Sequence, residues 1–390
     1  MIGQRLRQLR LARGLSLEGL AAATGGIVTK QALSKYEMAK AQPSPVVLNR
    51  MAAALGVKAA YLYTEPSVRI AFIAYRKGSG LLKREQEKVE SLVRQSIEDR
   101  IRLQELIGQT NGADLPVKSQ TVNSLEDAEN VADNLRKKWN LGLDPISSVV
   151  GVLEERLIHV LEIDAAERFD GISAVAWDDS RVTAAAVVSR RGIAGGRQRL
   201  NLAHELGHLV LKVPDGIDEE AAAFRFGAAF LAPAEMVRRE VGEHRTFIRS
   251  DELLMMKRKF GMSAQAFLYR LRNLAIIGES HYKKWCININ KLGWRRKEPA
   301  EIPPERPSWL QKSVLRALGE GLISREMAEQ IIGYALGNGE PLSLVERRSF
   351  MKLPLEERRR IMSKQAEKMA AYYENDREWR KFQGGDFIAD

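Results

Sequence analysis

The sequence predicts a multidomain, mainly α protein with a single α+β domain in its middle, and three observations carry that reading. At 390 residues the chain exceeds what one small core organises, so two to four domains are expected. Over most of its length apolar residues recur at spacings of three and four, the period of helices with one buried face. Only after a helix at 146–155 does the pattern change, with Val- and Ile-rich runs at 157–163, 172–177 and 183–189 that read as strands.

Composition narrows the class. Apolar residues at 45% and charged residues at 28% are those of a globular chain. The longest near miss to an apolar span, 68–75, is far too short to cross a bilayer, and the basic N-terminus lacks the apolar stretch of a signal peptide. One cysteine, Cys286, excludes an internal disulfide framework. The expectation is a cytoplasmic protein with no membrane partner.

Residues 1–64 read as five short helices punctuated by Gly14, Gly25-Gly26, Pro43-Ser44-Pro45 and Gly56. They carry nine Lys/Arg against Glu18 and Glu37, a net +7 of the whole chain's +11. Such a concentration on a small module is the footprint of a polyanion partner. Ser16 N-caps one helix. The next, from Thr29 to Glu37, turns Leu33 and Tyr36 inward. Thr29, Lys30, Gln31, Ser34 and Lys35 are left as the candidate face for double-stranded DNA: Gln suits adenine, Lys suits guanine or phosphate, and Ser adapts to either. With LSLEGLAAATG, then Leu33-Ser34 and Glu37, then PS and AAALGV, the module resembles the XRE-like (Cro/cI-type) helix-turn-helix family. That resemblance implies an operator-binding domain and a homodimer reading paired half-sites. The turn at Gly25–Val28 is one residue longer than the family's, and Ala39 stands where a helix-ending glycine is expected.

Residues 65–135 form a helical linker. An amphipathic helix over 79–109, a candidate for dimerisation, precedes a polar loop at 109–120 and a helix near 124–139.

Residues 136–295 carry the chemistry. Gly195-Gly196 leads into a helix holding His204-Glu205-Leu206-Gly207-His208. Four residues at about 100° each bring both imidazoles to one helix face, where they can meet one zinc ion (Zn2+). Glu205 is placed to act as general base on a water. An open site needs a third protein ligand, and Asp218-Glu219-Glu220 opens the next helix, where negative charge would also serve as a cap.

RQRLNLAHELGHLVL followed by EAAAFRFGAAFLAP resembles the ImmA/IrrE family of zinc metallopeptidases, and the likeness continues through MKRKFGMSAQAFLYRL, GWRRKEP and LRALGEGLIS. It implies a zincin-like fold, a small sheet packed on the metal-binding helices, and a peptide or repressor substrate. Mapped on Ala223, Phe226 and Ala228, the family's third ligand is Glu220, with Glu219 the alternative. Phe224 stands where the family often has Asn.

Other chemistry is weakly represented. Cys286 lies in KKWCININ, which alternates like a short strand. His159, His244 and His281 read as structural or exposed. Tyr269, His281 and Tyr282 are candidates for stabilising an oxyanion. A proline-bearing connector at 293–307 leads to a helical extension within 296–338. Residues 339–390 form a charged tail whose LPLEERRRI and EWR…GGD features resemble short antitoxins of prokaryotic toxin–antitoxin pairs. That likeness implies a cognate toxin as partner; Trp379, Phe382 and Phe387, aromatic residues in a charged segment, read either as anchors for a partner groove or as part of a helix folded back onto the chain's own core.

Overall fold

A computed structural model of the chain describes residues 2–64, 68–75, 82–109, 115–166, 169, 171–178, 181–336 and 350–364. They belong to two units, Met1–Ile332 and Gly333–Asp390. In the second, 350–352 and 355–364 are helical, and Trp379, Phe382 and Phe387 lie outside the described residues.

The N-terminal module is a helical bundle of α1 (Ile2–Ala12), α2 (Leu17–Ala23), α3 (Lys30–Glu37) and α4 (Pro45–Ala54). The fifth element, Ala59–Tyr63, is a 3₁₀ turn rather than an α-helix. Ser16, Thr29 and Ser44 each cap the helix that follows through their side-chain oxygens. Leu6, Leu9, Leu20, Leu33, Met51 and Leu55 are fully buried in one cluster. A Cβ on Gly3 would stand 2.3 Å from the Tyr36 carbonyl oxygen, so α1 reaches α3 only because that position lacks one.

Helix α3 ends in a Schellman turn. Lys40 N–H donates to Lys35 O and Ala39 N–H to Tyr36 O, with Ala39 left-handed at φ 55°. The expected glycine is absent, yet its conformation is kept. Ala39→Gly is therefore expected to stabilise the bundle by about 1 kcal/mol, read as a raised denaturant midpoint.

Residues 69–75 differ from the helical-linker reading, because they form strand β1 (Arg69–Tyr75). Seven residues, RIAFIAY, have no local partner; what makes them a strand is a sheet edge about one hundred residues downstream. The sheet runs β1–β4–β5–β3, from β3 (Ile158–Ile163), β4 (Gly171–Asp178) and β5 (Arg181–Arg190), while β2 (Gln120–Thr121) pairs with β6 (Leu211–Lys212) in a separate two-stranded sheet. β1 and β5 flank β4 antiparallel, and β3 joins β5 in parallel. Both faces are covered, which explains the nearly unbroken apolar runs. Ile172, Ala174, Ala184, Ala186, Val188 and Leu161 point to one side, onto Val89, Val93, Ile97 and Ile101 of α5 (Lys83–Leu106). Val175, Ala185, Val187 and Val160 point to the other, toward α8 (Gly195–Val210).

Helix α5 also holds the N-terminal bundle. Arg5 and Glu98 form a buried ion pair, Tyr61 Oη donates to Asp99 Oδ1 at 2.9 Å, and Arg84 Nη2 donates to the Gly14 carbonyl at 2.7 Å. Its apolar stripe, a possible dimer seam in sequence, is covered within the chain.

On the same side of α5 sits His159 of β3, fully buried. Its Nε2 lies 3.3 Å from Gln104 Oε1, and its ring packs edgewise on Trp309 of α14 (Trp309–Gly319). Burial, then the charge of Arg100, pushes its pKa well below the ordinary value. An imidazole depressed in the fold is neutral at no cost above its unfolded pKa, about 6.5, and penalises the fold as pH falls below that value. Stability should drop by up to about 1.4 kcal/mol per pH unit under pH 6.5. His159→Gln should flatten that component in urea titrations at pH 7 and 5.

A second difference concerns Cys286. KKWCININ is part of helix α13 (Glu279–Lys291), not a strand. Ile287 and Ile289 alternate with asparagines, but the spacing that is buried is i,i+4, Trp285 with Ile289, while Ile287 is half exposed. The 293–307 connector is tied back to the core. Glu305 accepts hydrogen bonds from Val149 N (3.1 Å), Val150 N (2.7 Å) and Ser148 Oγ (2.8 Å) at the start of α7 (Val149–Glu154), and pairs with Arg199 of α8.

Candidate metal centre

Two helices crossing at close range create the site. α9 (Glu219–Leu231) follows α8 after a turn and lies against it. Two glycines permit the approach. A Cβ on Gly227 would stand 2.9 Å from His204 N, and one on Gly207 would stand 3.1 Å from Ala223 Cα. Asp218 caps α9, accepting from Ala221 N at 3.1 Å, which frees the glutamates behind it from that work.

His204 and His208 are almost fully buried, and their Nε2 atoms approach to 3.0 Å. Glu220 spans both: Oε2 is 3.4 Å from His204 Nε2, and Oε1 is 3.3 Å from His208 Nε2. Among the described residues these three are the group whose ligand atoms lie together, all within 4.8 Å. Glu219, the alternative, is 3.6 Å from His208 Nδ1 and also pairs with Lys118 at 3.2 Å. Burial, then the neighbouring His204, pushes His208 down to about 4, so its imidazole is neutral near pH 7.

The donor set fits a divalent ion. A tetrahedral zinc with bonds of about 2.0–2.1 Å holds its ligands about 3.3 Å apart. The observed separations of 3.0, 3.3 and 3.4 Å match that spacing. Two neutral imidazoles and one carboxylate are ligand types zinc accepts.

Glu205 is nearly buried and faces the sheet. Ser173 Oγ of β4 donates to Glu205 Oε2 at 2.5 Å and to Glu205 O at 3.2 Å. Gly171 leaves room for the carboxylate, since a Cβ there would stand 2.6 Å from Oε1. Neither Ser173 nor Gly171 was signalled by sequence; only the alternation within β4, which turns Ser173 toward α8, could have pointed to one of them.

A groove of about 850 Å³ opens beside the metal ligands, with Glu220 and Phe224 in its wall. The Phe224 ring is tilted against His204 at 4.1 Å. The far wall comes from α12 (Ala264–Asn273), α13 and residues 294–302. It includes Tyr269 and Tyr282, so two of the oxyanion candidates line the groove. His281 does not; its Nε2 accepts from Ile248 N at 3.1 Å, a structural bond.

In the N-terminal module the nominated face of α3 is distributed unevenly. Gln31 and Lys35 are exposed, Ser34 is half-buried, Thr29 caps the helix through Ala32 N, and Lys30 is paired with Glu18. Arg10 is not free for phosphate: it makes a two-pronged pair with Glu37 at 2.6 and 2.8 Å. Arg5 is held by Glu98.

Residues 6–62 match the family model described as helix-turn-helix, and residues 189–272 match that described as IrrE N-terminal-like domain. No curated protein matches the chain significantly. Among the described residues no helix is long and apolar enough to cross a membrane.

Proposed function

Since the chain joins an N-terminal helix-turn-helix domain to an IrrE/ImmA-like peptidase domain, we propose that it is a DNA-binding transcriptional regulator with zinc-dependent endopeptidase activity, directed at a repressor or at the chain itself. The convergence of His204, His208 and Glu220 beside an open groove carries this reading. These three residues would hold the ion, which when bound supplies Lewis acidity and lowers the pKa of water toward about 7.

The protein's own groups do the rest. Glu205 accepts the proton of the attacking water on a carboxylate oxygen and returns it to the departing amine. Ser173 holds that carboxylate in place from β4. The aromatic wall of the groove excludes water from the bound peptide. Metal analysis of the purified chain should give one zinc per chain, lost in His204→Ala. Zinc retained by His204→Ala would count against this ligand set.

DNA binding is supported by the charge of the bundle and by the exposed Gln31 and Lys35. Duplexes selected from a random pool should lose about 1–3 kcal/mol of base preference in Gln31→Ala. Lys35→Ala should instead reduce the salt slope by about one phosphate contact.

The antitoxin-like stretch from Leu353 supports a second reading, in which the chain restrains a toxin and its metal domain is sensory or structural. An intact operator complex that captures a co-encoded toxin, with no peptide bond cut by the zinc-loaded chain, would select it.

A further inference from the structure

His208 has two ring nitrogens, and the ligand cluster uses only one of them. Its Nε2 faces His204 Nε2 at 3.0 Å and Glu220 Oε1 at 3.3 Å. Its Nδ1 is buried on the other edge of the ring and, among the described residues, has no hydrogen-bond partner. The group that faces it there is Glu219, whose Oε1 lies 3.6 Å away. Consecutive glutamates in the first turn of α9 therefore straddle one imidazole, Glu220 on its Nε2 side and Glu219 on its Nδ1 side.

That placement separates the roles of the two carboxylates. A histidine that gives Nε2 to a metal carries its proton on Nδ1, and this N–H requires an acceptor to fix the tautomer and the plane of the ring. A carboxylate at the Nδ1 edge suits that task and is turned away from an ion shared by the two Nε2 atoms. Capping does not occupy Glu219, because Asp218 already accepts from Ala221 N.

Glu219 is itself held in place. Lys118 Nζ lies 3.2 Å from Glu219 Oε1, the same oxygen that faces His208. The backbone of Lys118 is left-handed at φ 46°, a strained conformation for a residue with a side chain, and its N–H donates to the Leu209 carbonyl at 2.6 Å. Just beyond it, β2 pairs in parallel with β6, Gln120 opposite Leu211 and Thr121 opposite Lys212. The segment that carries Lys118 is thus fastened to the end of the helix that carries His208. Two donors, an ammonium and a ring N–H, converge on one carboxylate oxygen.

We propose that Glu219 is a positioning residue of the metal centre: it accepts the Nδ1 proton of His208 and so presents Nε2 to a divalent ion, while Lys118 steadies the carboxylate. This deepens the metal-centre reading and rests on it, but it is independent of whether the chain cuts peptides.

The test titrates the metal-free full chain with zinc against a chromophoric chelator, for wild type, Glu219→Ala and Glu219→Gln, and records the absorption spectrum of each with cobalt. Glu219→Ala should bind zinc about 10- to 100-fold more weakly. Its cobalt bands should stay at the wild-type positions, because the ligands are unchanged. Glu219→Gln should retain most of the affinity, since Lys118, which only donates, keeps the amide oxygen turned toward the ring. Urea unfolding of the metal-free forms isolates a purely helix-terminal role, which would lower the stability of Glu219→Ala and leave its zinc affinity alone. Unchanged zinc affinity in Glu219→Ala, cobalt bands that move in that variant, or a Glu219→Gln as weak as Glu219→Ala would each overturn the proposal. A wild-type chain that binds no zinc would remove the metal-centre reading and this assignment together, whereas tight zinc binding indifferent to Glu219 removes the assignment alone.

Discussion

Glu205→Gln is expected to lower the rate of peptide cleavage by about a thousandfold or more while leaving zinc content at the wild-type value. General base catalysis by a positioned carboxylate contributes about 10²- to 10⁴-fold, and the amide cannot take the proton. The zinc content follows from the geometry, because the residues that converge are His204, His208 and Glu220, and Glu205 points instead to β4. Gln is isosteric and can still bond to Ser173 Oγ, so the fold around α8 is preserved. Single-turnover cleavage of a co-encoded repressor, run beside metal analysis of the same preparation, reads both quantities. A variant that retains full cleavage would remove Glu205 from the mechanism.

Ser173 and Gly171 make the same prediction graded. Ser173→Ala removes the hydroxyl that holds Glu205 and should reduce turnover without changing zinc content. Gly171→Ala, whose Cβ would stand 2.6 Å from Glu205 Oε1, must displace the carboxylate itself. The ordering expected is therefore wild type, then the serine variant, then the glycine variant, then Glu205→Gln.

Local rules made some of this architecture legible and left the rest invisible. His204 and His208 at i,i+4 announce a shared helix face, and their Nε2 atoms do meet. Ser16 announces a helix start, because a cap needs only neighbours in sequence, whereas Thr29, read as part of the DNA face, is a cap as well. The α+β character of the middle was legible in the apolar runs, and the structure has a small sheet there. What escaped depends on partners far away in sequence. RIAFIAY becomes a strand only beside β4, and KKWCININ has two periods, of which tertiary packing selects the helical one. Ser173 and Glu205 are 32 residues apart, and Glu305 caps α7 from 156 residues beyond Val149. No local spacing encodes such pairs.

The largest effect on stability is expected at Glu129, which no motif marks. It lies on α6 (Leu125–Lys138) and accepts from Arg270 Nη2 of α12 and from Arg225 Nε of α9, both at 2.6 Å. Arg270 is fully buried and also donates its Nε to the Ala232 carbonyl at 2.9 Å. Burial pushes the Glu129 carboxyl up, but Arg270 and then Arg225 outweigh it and hold the group below its ordinary value. One carboxylate thus joins three helices, among them the helix that presents Glu220 to the histidines. Glu129→Leu would leave the Arg270 guanidinium buried without its counter-charge, which costs about 3–5 kcal/mol. The damage should reach the metal centre through α9, so zinc affinity should fall with stability. Replacing the pair together, as Glu129→Leu with Arg270→Met, removes the stranded charge and should recover most of the loss. The double-mutant cycle, measured by urea unfolding, should therefore be strongly non-additive. If the two single losses simply summed, the network would be three independent contacts, and α9 would owe its position to the glycine crossing at Gly207 and Gly227 alone.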